Sequence, residues 1–171
     1  STVSFIRLAC LVLCLYSGLF AAAARSESPT ILVLGDSLSA AYGIRLEQGW
    51  VALLQARLEA KGYGHRVVNA SSSGETTGGA LARLPRALER HRPAIVIIEL
   101  GGNDGLRGLP IAEVRTNFDS LVKLSRGAGA QVLLVGMRIP PNYGPAYAGA
   151  FHALYGDLAK RYELPLVPFF L

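Results

Sequence analysis

The sequence predicts an α/β protein, a parallel sheet of about five strands with helices on both faces. Two observations carry this. Short, continuous runs of β-branched and aliphatic residues recur along the chain, the mark of strands buried on both faces. Each of the first four is followed by a stretch of helical period, and that alternation builds a parallel sheet with crossover helices.

The strand runs are Ile31-Leu32-Val33-Leu34, the weaker Arg66-Val67-Val68-Asn69, Ala94-Ile95-Val96-Ile97-Ile98, Val132-Leu133-Leu134-Val135 and the start of a fifth at Leu166-Val167. Between them, Val51, Leu54 and Leu58 share one helical face, and Leu81, Leu84 and Leu88 share another. Pro85 is expected to kink or restart that second helix, because it lacks an N–H and crowds the preceding turn. Ile111, Val114, Phe118, Leu121 and Val122 make the clearest stripe, and Phe151, Leu154, Tyr155, Leu158 and Tyr162 the last. Such stripes are core faces.

Composition narrows the class. The 171 residues are 51% hydrophobic and 17% charged, which excludes a disordered chain, and the length suits one domain. The 17 Lys+Arg against 12 Asp+Glu give a net charge of +5. Arg45, Arg57, Arg66, Arg83, Arg86, Arg90 and Arg92 are scattered, without a run of five, and read as solvated helix faces before a surface for nucleic acid or anionic lipid.

Residues 1–24 have the three parts of a secretory signal: Arg7 in the leading segment, an apolar run from Leu8 to Phe20, and small-residue cleavage sites at Ala21 to Ala24. The run is short for a membrane span. Both cysteines, Cys10 and Cys14, fall inside it, and neither sits where a lipidated cysteine belongs. Cleavage near Ala24 leaves residues 25–171 as one cysteine-free domain, without disulfide, thiolate nucleophile or cysteine metal site. Periplasmic or secreted localisation follows from this reading.

In open parallel sheets the ligand crevice lies beyond the carboxyl ends of the strands. Four polar, glycine-bearing segments end there: Gly35-Asp36-Ser37-Leu38-Ser39, Ala70-Ser71-Ser72-Ser73-Gly74-Glu75-Thr76, Gly101-Gly102-Asn103-Asp104-Gly105 and Arg138-Ile139-Pro140-Pro141-Asn142-Tyr143-Gly144. Taken singly, Asp36 and Ser37 suit helix capping. Gly74 and Gly101-Gly102 suit turns of positive φ, and Asn103-Asp104 suits an Asx turn. Taken together they suit acyl transfer. A serine hydroxyl at a strand-to-helix junction is an exposed nucleophile, and the Ser37 and Gly74 N–H groups with the Asn103 amide can face a developing oxyanion.

The blocks "ILVLGDSLSAAYG", "VVNASSSGETTGGALARLP", "IELGGNDGLRGLP" and "IPPNYG" resemble the GDSL/SGNH hydrolases. They are similar above all to the secreted bacterial multifunctional esterases, the thioesterase I, arylesterase and lysophospholipase branch. The resemblance runs over residues 30–170 and implies a three-layer α/β/α, flavodoxin-like fold. It implies that Ser37 is the nucleophile, and that Ser37 N–H, Gly74 N–H and the Asn103 side chain form the oxyanion hole. Asp36 belongs to the signature but is not the triad acid. Residues 105–110 resemble a mobile loop beside the acyl pocket, for which Leu106, Leu109, Ile139 and Tyr143 are the candidate walls. No metal or organic cofactor is implied, and the partner is a small acyl ester or thioester met by a monomer.

One departure matters. The family's triad closes with Asp and His in a late Asp-Gly-x-His-Pro block after the fifth strand, and no Asp-x-x-His occurs in these residues. His65 and His91 precede strands and belong to the opposite rim, since a five-residue strand is roughly 17 Å long. His152 lies in the last helical stripe. The expectation is therefore a fragment lacking the last helix and the triad block, with an apolar face left uncovered. It should be nearly inactive alone, since losing a triad His costs on the order of 10⁶ in kcat. Restoring an Asp-x-x-His segment should recover ester hydrolysis. Two rival functions remain: a carbohydrate O-acetyl esterase with the same donors, and a non-catalytic flavodoxin-like nucleotide or phosphate domain. The second lacks a Gly-x-x-x-x-Gly-Lys-[Ser/Thr] loop, and Gly62-x-Gly64 precedes a strand instead of following one. The Gly-x-Ser-x-Gly elbow of α/β-hydrolases is also missing.

Overall fold

A computed structural model describes residues 28–170. The strands are β1 (Thr30–Gly35), β2 (Arg66–Asn69), β3 (Ile95–Glu99), β4 (Gln131–Val135) and β5 (Leu166–Val167). They form one 5-stranded sheet in the order β2-β1-β3-β4-β5, every neighbour pair parallel. This is the doubly wound, flavodoxin-like arrangement, and its order reverses at β1 and β3. The helices are α1 (Trp50–Ala60), α2 (Thr77–His91), α3 (Gly102–Leu106), α4 (Ile111–Gly127) and α5 (Pro145–Tyr162).

Alternation along the strands sorts the core into two layers. Leu32, Leu34, Val96 and Ile98 face α2, α4 and α5, where they meet Ala80, Leu84, Leu88, Phe118, Leu121, Phe151 and Leu158. Ile31, Val33, Ile97 and Val135 face the other way, toward Trp50, Val51, Leu54 and Leu58 of α1 and toward Phe170. The thicker layer is keyed by Tyr155, whose ring meets Phe118 and Phe151 edge-on at 5.6 Å each. Its hydroxyl donates to the Leu100 carbonyl at 2.8 Å, so this buried phenol is satisfied.

Two local expectations are corrected. Pro85 does not restart α2: the helix is continuous from Thr77 to His91. Pro85 is exposed, so water can replace the bond it removes, and the buried stripe of Ala80, Leu84 and Leu88 carries the helix through. Thr76 caps its start by accepting from the Gly79 N–H at 3.2 Å. Nor does β1 run into a helix. One turn forms, with Ala40 N–H on the Asp36 carbonyl at 2.9 Å and Tyr42 N–H on the Ser37 carbonyl at 3.1 Å. Positive φ at Ala41 (58°) and Gly43 (79°) then stops propagation, and α1 begins only at Trp50. No helix among the described residues is long and apolar enough to cross a membrane. The signal segment and the cysteines lie outside the described residues.

Candidate active site

The segments that follow β1, β3 and β4 meet along the carboxyl edge of the sheet. They enclose a cleft of about 310 Å³ lined by Asp36, Ser37, Leu38, Gly102, Asn103, Leu106, Met137, Arg138, Ile139 and Pro140. Ser37 is half-buried at its mouth. Asp36 is buried at 3% exposure and fully engaged. Its Oδ1 accepts the Leu38 N–H at 3.0 Å, and its Oδ2 lies 3.3 Å from Asn103 Nδ2. Burial raises the Asp36 pKa, the Leu38 N–H lowers it, and the charge of Asp104 raises it again.

After β3 the chain reverses at Gly101, at φ 106°, where a Cβ would collide with the Tyr155 hydroxyl. This tight turn starts α3 and places Asn103 in its first turn, so Asn103 and Asp104 are helical and form no Asx turn. Asn103 Nδ2 also donates to the Glu75 carbonyl at 2.9 Å, which brings the segment after β2 to the same edge. Gly74, at φ 76°, is exposed beside it, and its carbonyl accepts from Arg107 Nη2 at 3.1 Å. Both amide hydrogens of Asn103 are thus occupied, and the longer contact, to Asp36, is the one a ligand oxygen can displace.

Asp104 is the clamp between the second and third segments. Fully buried, it accepts the Thr77 N–H at 3.0 Å and the Thr77 hydroxyl at 2.5 Å, and Asn117 Nδ2 reaches the same hydroxyl at 3.1 Å. Asp104→Ala leaves the Thr77 donors buried without their acceptor. It is expected to cost about 3 kcal/mol, which lowers Tm by roughly 6–12 °C in a domain of this size. Thermal unfolding of Asp104→Ala beside Asp104→Asn, which keeps one acceptor, measures this. A loss below about 1 kcal/mol for both would show that the clamp is unimportant.

Among the candidate pocket residues, Leu106 and Ile139 line the cleft. Leu109 and Tyr143 pack against the core instead. Tyr143 donates to the Leu106 carbonyl at 2.9 Å and Tyr147 to the Leu109 carbonyl at 2.7 Å, which pins residues 105–110 from the side of α5. Sequence reasoning did not single out Met137 or Leu38 as cleft walls, nor Asp104 or Glu99. Glu99 did carry a signal, a lone carboxylate closing an otherwise apolar strand run. His91 lines a cleft at the opposite rim with Thr30 and Arg66, and His65 directly precedes β2. Nε2 of His152, on α5, lies 3.3 Å from Arg138 Nη2. No group of three or more His, Cys, Asp or Glu among the described residues is placed to hold a metal ion.

A serine and an asparagine line one cleft beyond the ends of β1 and β3, and the chain also matches a known family. The model of the GDSL-like Lipase/Acylhydrolase family covers residues 33–171. The chain belongs to that family. Esterase TesA of Pseudomonas aeruginosa is 54% identical to it over 147 residues, 86% of this chain and 73% of that protein. The thioesterase 1/protease 1/lysophospholipase L1 of Escherichia coli K12 is 45% identical over 146 residues, 85% of this chain and 69% of that protein. Among solved structures, the psychrotrophic esterase EstA of a Pseudoalteromonas species, in a form inhibited by monoethylphosphonate, superposes with a TM-score of 0.79 at 48% identity. That match covers 84% of this chain and 78% of EstA. This GDSL-family chain is therefore a hydrolase of ester bonds, and the flavodoxin-like binding reading falls away.

Proposed function

We propose that the GDSL-family chain hydrolyses small acyl esters and thioesters through an acyl-enzyme on Ser37. The observation that carries this is the shared cleft of Ser37 and Asn103 at the carboxyl edge of the sheet. Ser37 Oγ attacks the carbonyl carbon, and its proton passes to a base. The oxyanion rests on the Ser37 and Gly74 N–H groups and on Asn103 Nδ2. Collapse expels the alcohol or thiol with that proton, and water then releases the acid. The base is none of His65, His91 or His152. The first two belong to the amino-end rim, and Nε2 of the third is engaged by Arg138, which is always a donor. We place it, with its orienting carboxylate, outside the described residues.

Leu38, Leu106, Met137, Ile139 and Pro140 give the cleft an apolar wall suited to an acyl chain longer than acetyl. Residues 1–24 serve as an export signal, and residues 25–171 belong to one hydrolase domain. It works in the periplasm or outside the cell, as a monomer, on small substrates rather than nucleic acid, and without stable membrane insertion. The pattern of residues 1–24 supports the export reading, and the relatives' esterase names support the hydrolase one.

The test is covalent labelling of the full-length protein with a fluorophosphonate, followed by peptide mapping, with p-nitrophenyl acetate and octanoate compared in parallel. The label is expected on Ser37, with higher kcat/KM for octanoate. A label on another residue defeats the assignment, and a preference for acetate favours the O-acetyl esterase reading.

A further inference from the structure

Beneath the serine turn lies a carboxyl group that the reaction as written does not use. Glu99 closes β3 at 0% exposure, opposite Gly35 of β1. Its Oε2 accepts the Asp36 N–H at 3.4 Å and the Ser39 hydroxyl in a short hydrogen bond. The Trp50 indole N–H, which can only donate, reaches Ser39 Oγ at 3.1 Å and leaves the Ser39 proton available to Glu99. Glu99 Oε1 has no partner. The space is closed, because a Cβ on Gly35 would lie 2.5 Å from Ser39 Oγ and 2.7 Å from Glu99 Oε2.

We propose that Glu99 is a positioning residue of the hydrolysis: its carboxyl group grips the Asp36 N–H and the Ser39 hydroxyl on either side of Ser37 and thereby fixes the turn that aims the nucleophile. The proposal rests on Ser37 being that nucleophile. Two grips bracketing one residue constrain it more than either alone, and a misplacement of about 1 Å at a reacting atom costs on the order of 10²-fold in rate.

The protonation state completes the device. Burial first and the Asp36 carboxylate second push the Glu99 pKa up to about 8, against the Ser39 and Asp36 hydrogen bonds, which pull it down. The titratable groups acting on it or feeling it are Asp36 on the β1 turn and the buried Tyr155 phenol of α5, itself held well above its ordinary value by burial. Neither is a cation. At neutral pH Glu99 is therefore a neutral acid, and above about 8 it becomes an anion beside Asp36. The folded chain keeps this proton to about 8, whereas an unfolded one releases it near the ordinary value of 4.5. The contribution of Glu99 to stability is thus fully present below 4.5 and is lost as pH rises to about 8.

The test measures kcat and KM for p-nitrophenyl butyrate from pH 6 to 10, with Tm, on the full-length enzyme, Glu99→Gln and Glu99→Ala. Glutamine keeps an acceptor for both grips and cannot ionise. Wild type is expected to lose kcat above pH of about 8. Glu99→Gln should keep kcat within about threefold at pH 7 and lack that alkaline limb, whereas Glu99→Ala should lose on the order of 10²-fold in kcat with KM little changed. A folded Glu99→Ala within threefold of wild type overturns the proposal, as does an alkaline limb unchanged in Glu99→Gln. The Glu99→Gln profile decides the matter alone if Glu99→Ala does not fold. A Ser37→Ala variant that stays active, or a fluorophosphonate found elsewhere, marks failure of the nucleophile assignment instead, whatever the Glu99 variants do.

Discussion

Ser37→Ala in the full-length protein is expected to lower kcat for p-nitrophenyl esters by about 10⁶, the cost of removing a serine nucleophile from an otherwise intact triad enzyme. The size follows from what the residue supplies. Its oxygen forms and then releases the only covalent bond between enzyme and acyl group, and no other side chain in the cleft is a comparable nucleophile. Ser39, two residues on, is buried and spends its proton on Glu99, so it cannot stand in. Ser37→Ala leaves the Asp36 and Ser39 grips in place, so Tm should stay within a few degrees of wild type. Retention of more than about one per cent of kcat at an unchanged Tm would exclude Ser37 as the nucleophile.

Asn103→Ala should lower kcat by about 10² to 10³ with KM changed only a few-fold. In the proposed reaction the side-chain amide is one of three donors to the oxyanion, and that bond is strongest when the carbonyl oxygen carries full charge. In the free chain the Asn103 amide is held by the Glu75 carbonyl at 2.9 Å and leans on Asp36 at 3.3 Å. The donor is thus aimed before substrate arrives, and only the weaker contact must be exchanged. Alanine also frees the Glu75 carbonyl, so a modest loss of Tm accompanies the kinetic effect. Equal losses in kcat and kcat/KM are the signature of a donor used only in the transition state, whereas a rise in KM alone would assign Asn103 to substrate binding.

Much of the fold was written in the chain because a doubly covered parallel sheet leaves a strong trace. Val96, Ile97 and Ile98 are apolar on both faces, and only such a sheet asks for that. The amphipathic stripes of α4 and α5 were legible for the same reason. Of the site, the meeting of Ser37 and Asn103 at one cleft followed from their places after β1 and β3, while the roles of Ser37, Gly74 and Asn103 rest with the proposed reaction. Where several neighbours decide the outcome, the structure was not legible. Pro85 survives inside α2 because the buried stripe outweighs its local cost, and the turn after β1 ends where positive φ is imposed at Ala41. Leu109 and Tyr143 pack on the edge of the core, where hydrogen bonds from Tyr147 to the Leu109 carbonyl and from Tyr143 to the Leu106 carbonyl hold their loop. Glu99 and Asp104 are ordinary acidic letters in a string. Their work depends on Ser39, Asp36 and Thr77 arriving from segments 27 to 63 residues away.

The central place of β1 has a consequence for how the protein is made. Among the described strands β1 leaves the ribosome first, yet Ile31 cannot complete its pairing until Ile95 has been synthesised, because β3 flanks it on one side and β2 on the other. Until then one edge of the strand is bare, and early chaperone contacts should concentrate on it. The serine is thus translated well before Asn103, and the cleft they share cannot form until the third strand docks.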